Sequence, residues 1–387
     1  MMLRYPEAQA ITRFPPYHWF GYYDMPCWDA SGRYVLSLGV SFQERQPTGD
    51  DVALIGLSDL ETGAYRVLTE THAFNWQQDC FLYWLPSDPA RKIVYNDRVG
   101  ERFVSIVLDI GTGEKRLLGP AINDLGMGGT RAACLNLARI AEMRPGYGYA
   151  GLADPWAVEA HPAEDGVRVL DVDTGRDRLI VSMRQVVEAL GCPDYLADAK
   201  VWFNHTLFNP TETRLAFLCR MRGSGERGWR RTVMLTVDPD GGNLRQTLPG
   251  PVVSHFDWRN EREILAWTSV EGQGTHFFLI DDRTGATQVV APDLLTEDGH
   301  CSYSHNGRWI LTDTYPDPDD LCRTLKVYIP AEDREVVVGR YLSPPPFVNE
   351  RRCDLHPRWS PDDRTICFDS VHEGHRQVYL VDTSLQA

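Results

Sequence analysis

Apolar residues in this chain come in short runs of alternating or fully apolar character, such as "RYVLSLGV" (33), "KIVYND" (92), "VSIVLD" (104), "LAFLCR" (215), "EILAWT" (263) and "LKVYI" (325). Runs of this length, rich in Val, Ile, Tyr and Trp and bounded by Gly, Pro, Asn and Asp, predict strands. One stretch breaks the pattern: residues 182–196, "SMRQVVEALGCPDYL", space their apolar positions by three and four and reach a stop at Gly191. That spacing predicts a helix. Residues 144–156, "RPGYGYAGLADPW", are rich in Gly, Pro and aromatics and read as a shaped loop over one face.

The strands recur in two alternating units. The first is an aromatic, a Pro/Asp/Gly/Asn turn, then Arg and a β-rich run. It stands at "WDASGRYVLSL" (28), "WLPSDPARKIVYND" (84), "FNPTETRLAFL" (208), "FDWRNEREILAWT" (256), "YSHNGRWILTD" (303) and "WSPDDRTICFD" (359), with a degenerate copy at "GMGGTRAACLNL" (126). The second is a strand ending in Asp, a turn and another strand, as in "VSIVLDIGTGEKRLL" (104) and "FFLIDDRTGATQVV" (277). Both units occur seven times. Starts at 208, 256, 303 and 359 lie 48, 47 and 56 residues apart, near the period of four-stranded propeller blades. The "D-x-x-T-G" turns suit hairpins, since Gly takes a positive φ and Asp bonds its own backbone. The expectation is one all-β domain over residues 1–387, a seven-bladed β-propeller. The last repeat is one strand short, and the segment around residues 9–23 is expected to supply it.

Composition narrows the function. The 387 residues carry a net charge of −15, which argues against a nucleic-acid partner. A small anionic ligand needs only a local cluster of Arg and His. Nine cysteines without a CxxC spacing read as reduced thiols. No apolar run has the length of a membrane span, and the first residues lack a signal-peptide core, so no membrane and a cytoplasmic location are expected.

Four histidines come just before the aromatic of the first unit. His205, His300 and His356 stand three residues ahead of it and His255 one residue ahead. A lone histidine beside a turn is ordinarily structural. Three in register at one blade position are aimed at one channel. Further polar groups end the strands after the turns: Asn96, Asp97 and Arg98; Arg220 and Arg222; Asp313 and Tyr315; Asp369, His372 and His375. Singly, such residues are ordinarily rim ion pairs of little worth. Ahead of the turns in the first two blades stand His18, Tyr23 and Asp24, then Gln78 and Asp79. His300, Asp354 and His356 match a two-histidine, one-carboxylate set for a divalent metal with open positions. The competing reading pairs Asp354 with Arg352 and leaves no metal.

With these residues in place, the chain resembles oligogalacturonate lyase and its relatives, polysaccharide lyase family 22. That family is a seven-bladed propeller with a divalent metal, usually manganese, in its channel. Its motif is similar to Gln-x-x-His-x-His-Pro, plus a histidine from the preceding blade. The resemblance makes His300 the preceding-blade ligand, His356 the last histidine of the motif before Pro357, and His255 the catalytic base. It matches a catalytic arginine to Arg230 or Arg231. The chain departs from the motif at Asp354, where the family has histidine, and at Arg351, where it has glutamine.

The resemblance implies β-elimination on a 4-linked uronate of a small acidic oligosaccharide, with Mn2+ as the expected cofactor. His255 would take the C5 proton. His300, Asp354 and His356 would hold the metal, Arg231 or Arg220 would bind the carboxylate, and His205, Arg352 and Tyr315 would contact substrate. Two other readings stay open on the residues: a non-catalytic TolB-like interaction propeller, and a metal-dependent hydrolase or epimerase of sugar acids.

Overall fold

The computed structural model describes residues 5–223, 225–226, 228, 231–248, 251–383 and 385. Among them the strands form seven four-stranded antiparallel sheets. Six sheets follow chain order, and their first strands are Tyr17–Trp19, Tyr83–Trp84, Ile122–Leu125, Ala199–Phe208, Val253–Trp258 and Ser302–Tyr303. The seventh combines Arg358–Trp359, Thr365–Ser370 and Gln377–Asp382 with Gln9–Ala10 from the other end of the chain. The architecture is a seven-bladed β-propeller.

Local chemistry explains the repeats. In the turns at 59–63, 109–113, 171–175 and 281–285 each Gly takes a positive φ and donates its N–H to the Asp carbonyl at 2.8 Å. The Asp109, Asp171 and Asp281 side chains accept further backbone N–H bonds inside their turns, at 2.8–3.0 Å. These hairpins set the pairing register, and a buried apolar face on each blade packs against the next.

Adjacent first strands do not pair through their backbones, so side chains satisfy the exposed N–H groups. Asp124 accepts from Phe208 N at 2.7 Å, Asp257 from Tyr303 N at 2.8 Å and Asp369 from Phe20 N at 2.9 Å. Asn96 and Asn123 do the same for Ile122 N and Thr206 N, at 2.8 and 3.0 Å. Several polar residues ahead of and behind the turns are therefore clasps between blades. Asp369 and Asn96 are two of the polar residues singled out in the sequence.

Among the described residues two α-helices interrupt the strands. Met183–Ala189 lies inside the predicted helix and begins with a capping box between Ser182 and Gln185; Gly191 follows its end with φ +78°. Helix Leu137–Met143 has no counterpart in the sequence reading. It precedes the 144–156 loop, and Arg139, fully buried, ties that loop down through Asp154 at 2.9 Å and the carbonyls of Trp156, Glu159 and Ala160. All nine cysteines are free thiols, and no helix among the described residues is long and apolar enough to cross a membrane.

The ring closes where Gln9 and Ala10 pair with Leu380 and Tyr379. Buried Thr12 accepts from Val378 N at 3.0 Å and donates to Gln377 Oε1 at 2.5 Å. Thr12→Ala strands both groups and is expected to cost about 1–3 kcal/mol, seen as a lower denaturant midpoint. An unchanged midpoint would remove Thr12 from the closure. Burial also lowers the His18 imidazole to about 4. The folded state therefore resists a proton that the unfolded chain takes up near its ordinary value of about 6.5. Stability should fall as pH drops from about 6.5 to about 4, by about 3 kcal/mol from this group. His18→Gln should flatten that limb in unfolding curves taken across the range.

Candidate active site

The histidines of blades 4 to 7 meet at one end of the channel. The first strand of blade 4 bulges between Asn204 and Leu207, and that of blade 5 between Val253 and Phe256. A bulge re-aims side chains and ends regular pairing. His205 and His356 also sit in left-handed backbone, at φ +52° and +41°. That conformation is costly for a residue with a Cβ and persists where surroundings enforce it, commonly at functional sites. In blade 6 the chain reaches His300 through Gly299, where a Cβ would lie 1.8 Å from the Asp313 carbonyl oxygen.

A loop from blade 1 forms the floor between them. The Tyr23 hydroxyl donates to Phe256 O and accepts from Phe256 N, both at 2.9 Å, so it spans the channel to blade 5. The ring of neighbouring Tyr22 lies 4.7 Å from His356, 5.2 Å from His205, 5.6 Å from His300 and 6.4 Å from His255. The His255 and His300 ring centroids are 4.1 Å apart, and those of His300 and His356 are 4.4 Å apart.

Three of the four histidines hydrogen-bond a carboxylate, and His356 Nε2 lies 3.9 Å from Asp354. His255 Nδ1 is 2.9 Å from Asp298, His300 Nδ1 is 2.8 Å from Asp313, and His205 Nε2 is 3.2 Å from Asp24. With Nδ1 donating to a carboxylate, His255 and His300 each present Nε2 as a lone pair. Burial lowers the pKa of His255, and Asp298 only partly offsets it; the same balance with Asp24 holds for His205. Burial also lowers His356, reinforced by His300. His205, His255 and His356 are therefore neutral at neutral pH.

His300, Asp354 and His356 form a group whose candidate ligand atoms all lie within 4.8 Å of one another. Among the described residues, Nε2 of His300 and of His356 is buried without a hydrogen-bond partner. Two orphaned imidazole nitrogens beside a carboxylate suit a divalent cation, and the Asp313 contact is the partner a ligating histidine ordinarily has. Asp354 is shared: Arg352 Nε lies 2.6 Å from one oxygen and Arg323 Nη2 2.7 Å from the other. Burial raises its pKa, but Arg352 and then Arg323 outweigh this and hold it well below the ordinary range. The carboxylate is anionic, and its Oδ1, buried without a hydrogen-bond partner among the described residues, has lone pairs to offer a cation.

The other predicted residues divide. Arg220 is buried among Arg144, Tyr147, Tyr22 and Tyr315, and desolvation, then Arg144, bring its pKa down to about 10. Tyr315 is at the channel mouth, 37% exposed, its ring 6.3 Å from His300 and 6.4 Å from His255. Arg352 places its Nε on Asp354, Nη2 on the Tyr147 hydroxyl and Nη1 on Asn349 O, so it organises the site from within the protein. Arg231 pairs with Met221, and its guanidinium lies 5.1 Å over the Tyr195 ring. Arg230 lies outside the described residues. Arg351, at the family's glutamine position, bonds Glu44 O.

Tyr22, Tyr147, Asp298 and Arg323 escaped the sequence reading. Asp298 stands two residues before His300, a spacing that carries no signal. Tyr147 belongs to the Gly/Pro/aromatic loop and was legible only as part of it.

No family model matches the sequence, and no curated protein matches it. Solved structures do. An oligogalacturonate lyase in complex with manganese aligns over 97% of this chain and 93% of its own, at TM-score 0.69 and 16% identity. An oligogalacturonate lyase from Vibrio parahaemolyticus gives 97%, 93%, 0.67 and 14%. A puromycin hydrolase aligns over 92% of this chain but 51% of its own, at TM-score 0.52 and 14% identity. What is shared at these identities is the propeller, nearly end to end in the lyases.

Arg323→Met should leave Asp354 buried with one fewer counter-ion and destabilise the protein by about 3–5 kcal/mol, read from denaturant unfolding. A change within about 0.5 kcal/mol, the usual range for a surface site, would show that Arg352 suffices.

Proposed function

We propose that this protein is a divergent relative of the oligogalacturonate lyases that cleaves a 4-linked uronate by β-elimination. The observation that carries the reading is the His255–Asp298 pair at 2.9 Å, set against the His300, Asp354 and His356 group. A neutral, oriented imidazole beside a site for a carboxylate-binding cation is what removal of a proton α to a carboxylate requires. Purely structural histidines have no need of this arrangement.

His255 Nε2 accepts the C5 proton while Asp298 holds the ring and stabilises the imidazolium that forms. Arg220 is the arginine we assign to the uronate carboxylate, ahead of Arg231, because it is buried with the tyrosines of the pocket. His300, His356 and Asp354 would hold a divalent cation, Mn2+ by analogy with the manganese-bound lyase, and it would supply Lewis-acid stabilisation of the charge developing on the carboxylate. Tyr22 and the Tyr23 bridge give the sugar a floor. Tyr315 borders its entry, and His205 lines the wall with its Asp24 partner. The substrate class is a small acidic oligosaccharide.

Incubation with oligogalacturonate and Mn2+ should yield a C4–C5 unsaturated uronate, detected by its ultraviolet absorbance. New reducing ends without that absorbance would identify a hydrolase instead. His255→Ala should lower kcat by about 100-fold or more while leaving the fold intact; full activity would end the base assignment. Chelation should abolish turnover and Mn2+ restore it. Elemental analysis should find a bound divalent ion that His356→Ala loses, and an unchanged metal content in that variant would place the ion elsewhere.

A further inference from the structure

β-Elimination needs two proton transfers, and the histidine arc accounts for only one. The sugar oxygen leaving C4 departs as an alkoxide unless a proton meets it, so a donor must reach the pocket from another element.

The loop between helix Leu137–Met143 and the rest of blade 3 carries such a group. Its backbone is anchored: Asn75 Nδ2 donates to Tyr147 O at 3.1 Å, Tyr149 N to Leu137 O at 3.2 Å, and Gln77 N to Gly146 O at 3.3 Å. Gly148 packs against the helix so closely that a Cβ would lie 2.1 Å from Ala141 N. The Tyr147 side chain is buried, with its ring 6.3 Å from Tyr22, which also neighbours Tyr23 and all four histidines. Arg352 Nη2 donates to the Tyr147 hydroxyl at 2.5 Å, and the Arg144 guanidinium lies 4.8 Å over the ring. Arginine only donates, so this bond uses a lone pair of the phenol and leaves its proton unspent. Among the described residues no acceptor takes it.

Resting on the lyase reading, we infer that Tyr147 is the general acid that protonates the leaving O4, with Arg352 and Arg144 stabilising the phenolate it becomes. The electron pair of the C5–H bond forms the C4–C5 double bond as His255 takes the proton. The C4–O4 pair goes to oxygen, which takes the Tyr147 proton and leaves as a hydroxyl. Water then returns a proton to Tyr147 and removes one from His255, closing the cycle without any other reactant.

The electrostatics around the phenol agree with this role. Burial alone would raise its pKa; Arg352, Arg144 and Arg220 outweigh that against the opposing Asp354 and hold it below the ordinary value. Tyr315 lies in the same field of Arg352 and Arg220.

The test compares leaving groups. On a 4-linked galacturonate disaccharide, Tyr147→Phe should lose about 100- to 10,000-fold in kcat, the usual worth of a general acid. On the same uronate carrying a nitrophenyl ether at C4, which departs without a proton, it should lose about tenfold or less, with a melting curve matching that of the unmodified protein. The alkaline limb of the pH–rate profile should also move in the variant. Equal losses on both substrates, or none on either, in a protein that still melts normally would overturn the assignment. An unmodified protein that makes no unsaturated product from either substrate would overturn the lyase reading and this inference with it.

Discussion

Seven sheets arranged about an axis must satisfy the N–H groups of their innermost strands, and everything else here follows from how that is done. The first strands do not pair with one another. Blades 2, 3, 5 and 7 therefore reach to the next with a carboxylate or amide, as Asn96 does to Ile122 N, Asp124 to Phe208 N, Asp257 to Tyr303 N and Asp369 to Phe20 N. The last gap is closed by the N-terminal strand and Thr12. An unpaired buried N–H costs as much as a lost hydrogen bond, so the channel wall must be polar even with no ligand to bind.

That polar wall is where chemistry can be installed, and the chain does so on one side of the ring. In blades 4 to 7 the position three residues ahead of the turn, or one in blade 5, is histidine. Bulges re-aim the chain at His205 and His255, left-handed backbone at His205 and His356, and the close approach of Gly299 to Asp313 precedes His300. In blade 2 the same position is Phe81, also left-handed, and it belongs to the core. The backbone device is thus shared between blades, and the side chain decides whether it makes a wall or a site. Carboxylates play two parts accordingly: Asp124 and Asp369 hold backbone, whereas Asp298, Asp313 and Asp24 hold imidazoles.

The protein is strongly acidic overall, yet Arg144, Arg220, Arg323 and Arg352 gather near the pocket with Asp354 among them. Asp354 stays ionised at full burial only because Arg352 and Arg323 flank it. It stands in the competition that its position in the sequence posed, between an arginine and a metal. The arginine contact is the one the structure shows: Arg352 Nε donates to one oxygen at 2.6 Å, while the other, 2.7 Å from Arg323 Nη2, accepts no hydrogen bond among the described residues.

How much of this could be read from residues alone depends on the range of the interaction. Turn chemistry and strand periodicity are local, so the seven blades, the capped helix after Ser182 and the register of His205, His300 and His356 were legible in the sequence. The grouping of those histidines followed from repeat symmetry, which maps equal positions onto one axis. Symmetry says nothing about residues that enter from outside the repeat. Tyr147 arrives on an insertion, Asp298 on a connection between blades, Arg323 from a neighbouring strand, and Tyr22 on a loop that crosses the channel. Their places are set by long-range packing, with no spacing that would announce them. By itself the sequence determined the propeller and where its histidines converge. Only the tertiary structure decided which carboxylate orients which ring, that Arg352 serves Asp354 and Tyr147, and that Arg220 shares the pocket while Arg231 lies over Tyr195, because hydrogen bonds and ion pairs act across a few ångströms of space whatever the distance along the chain.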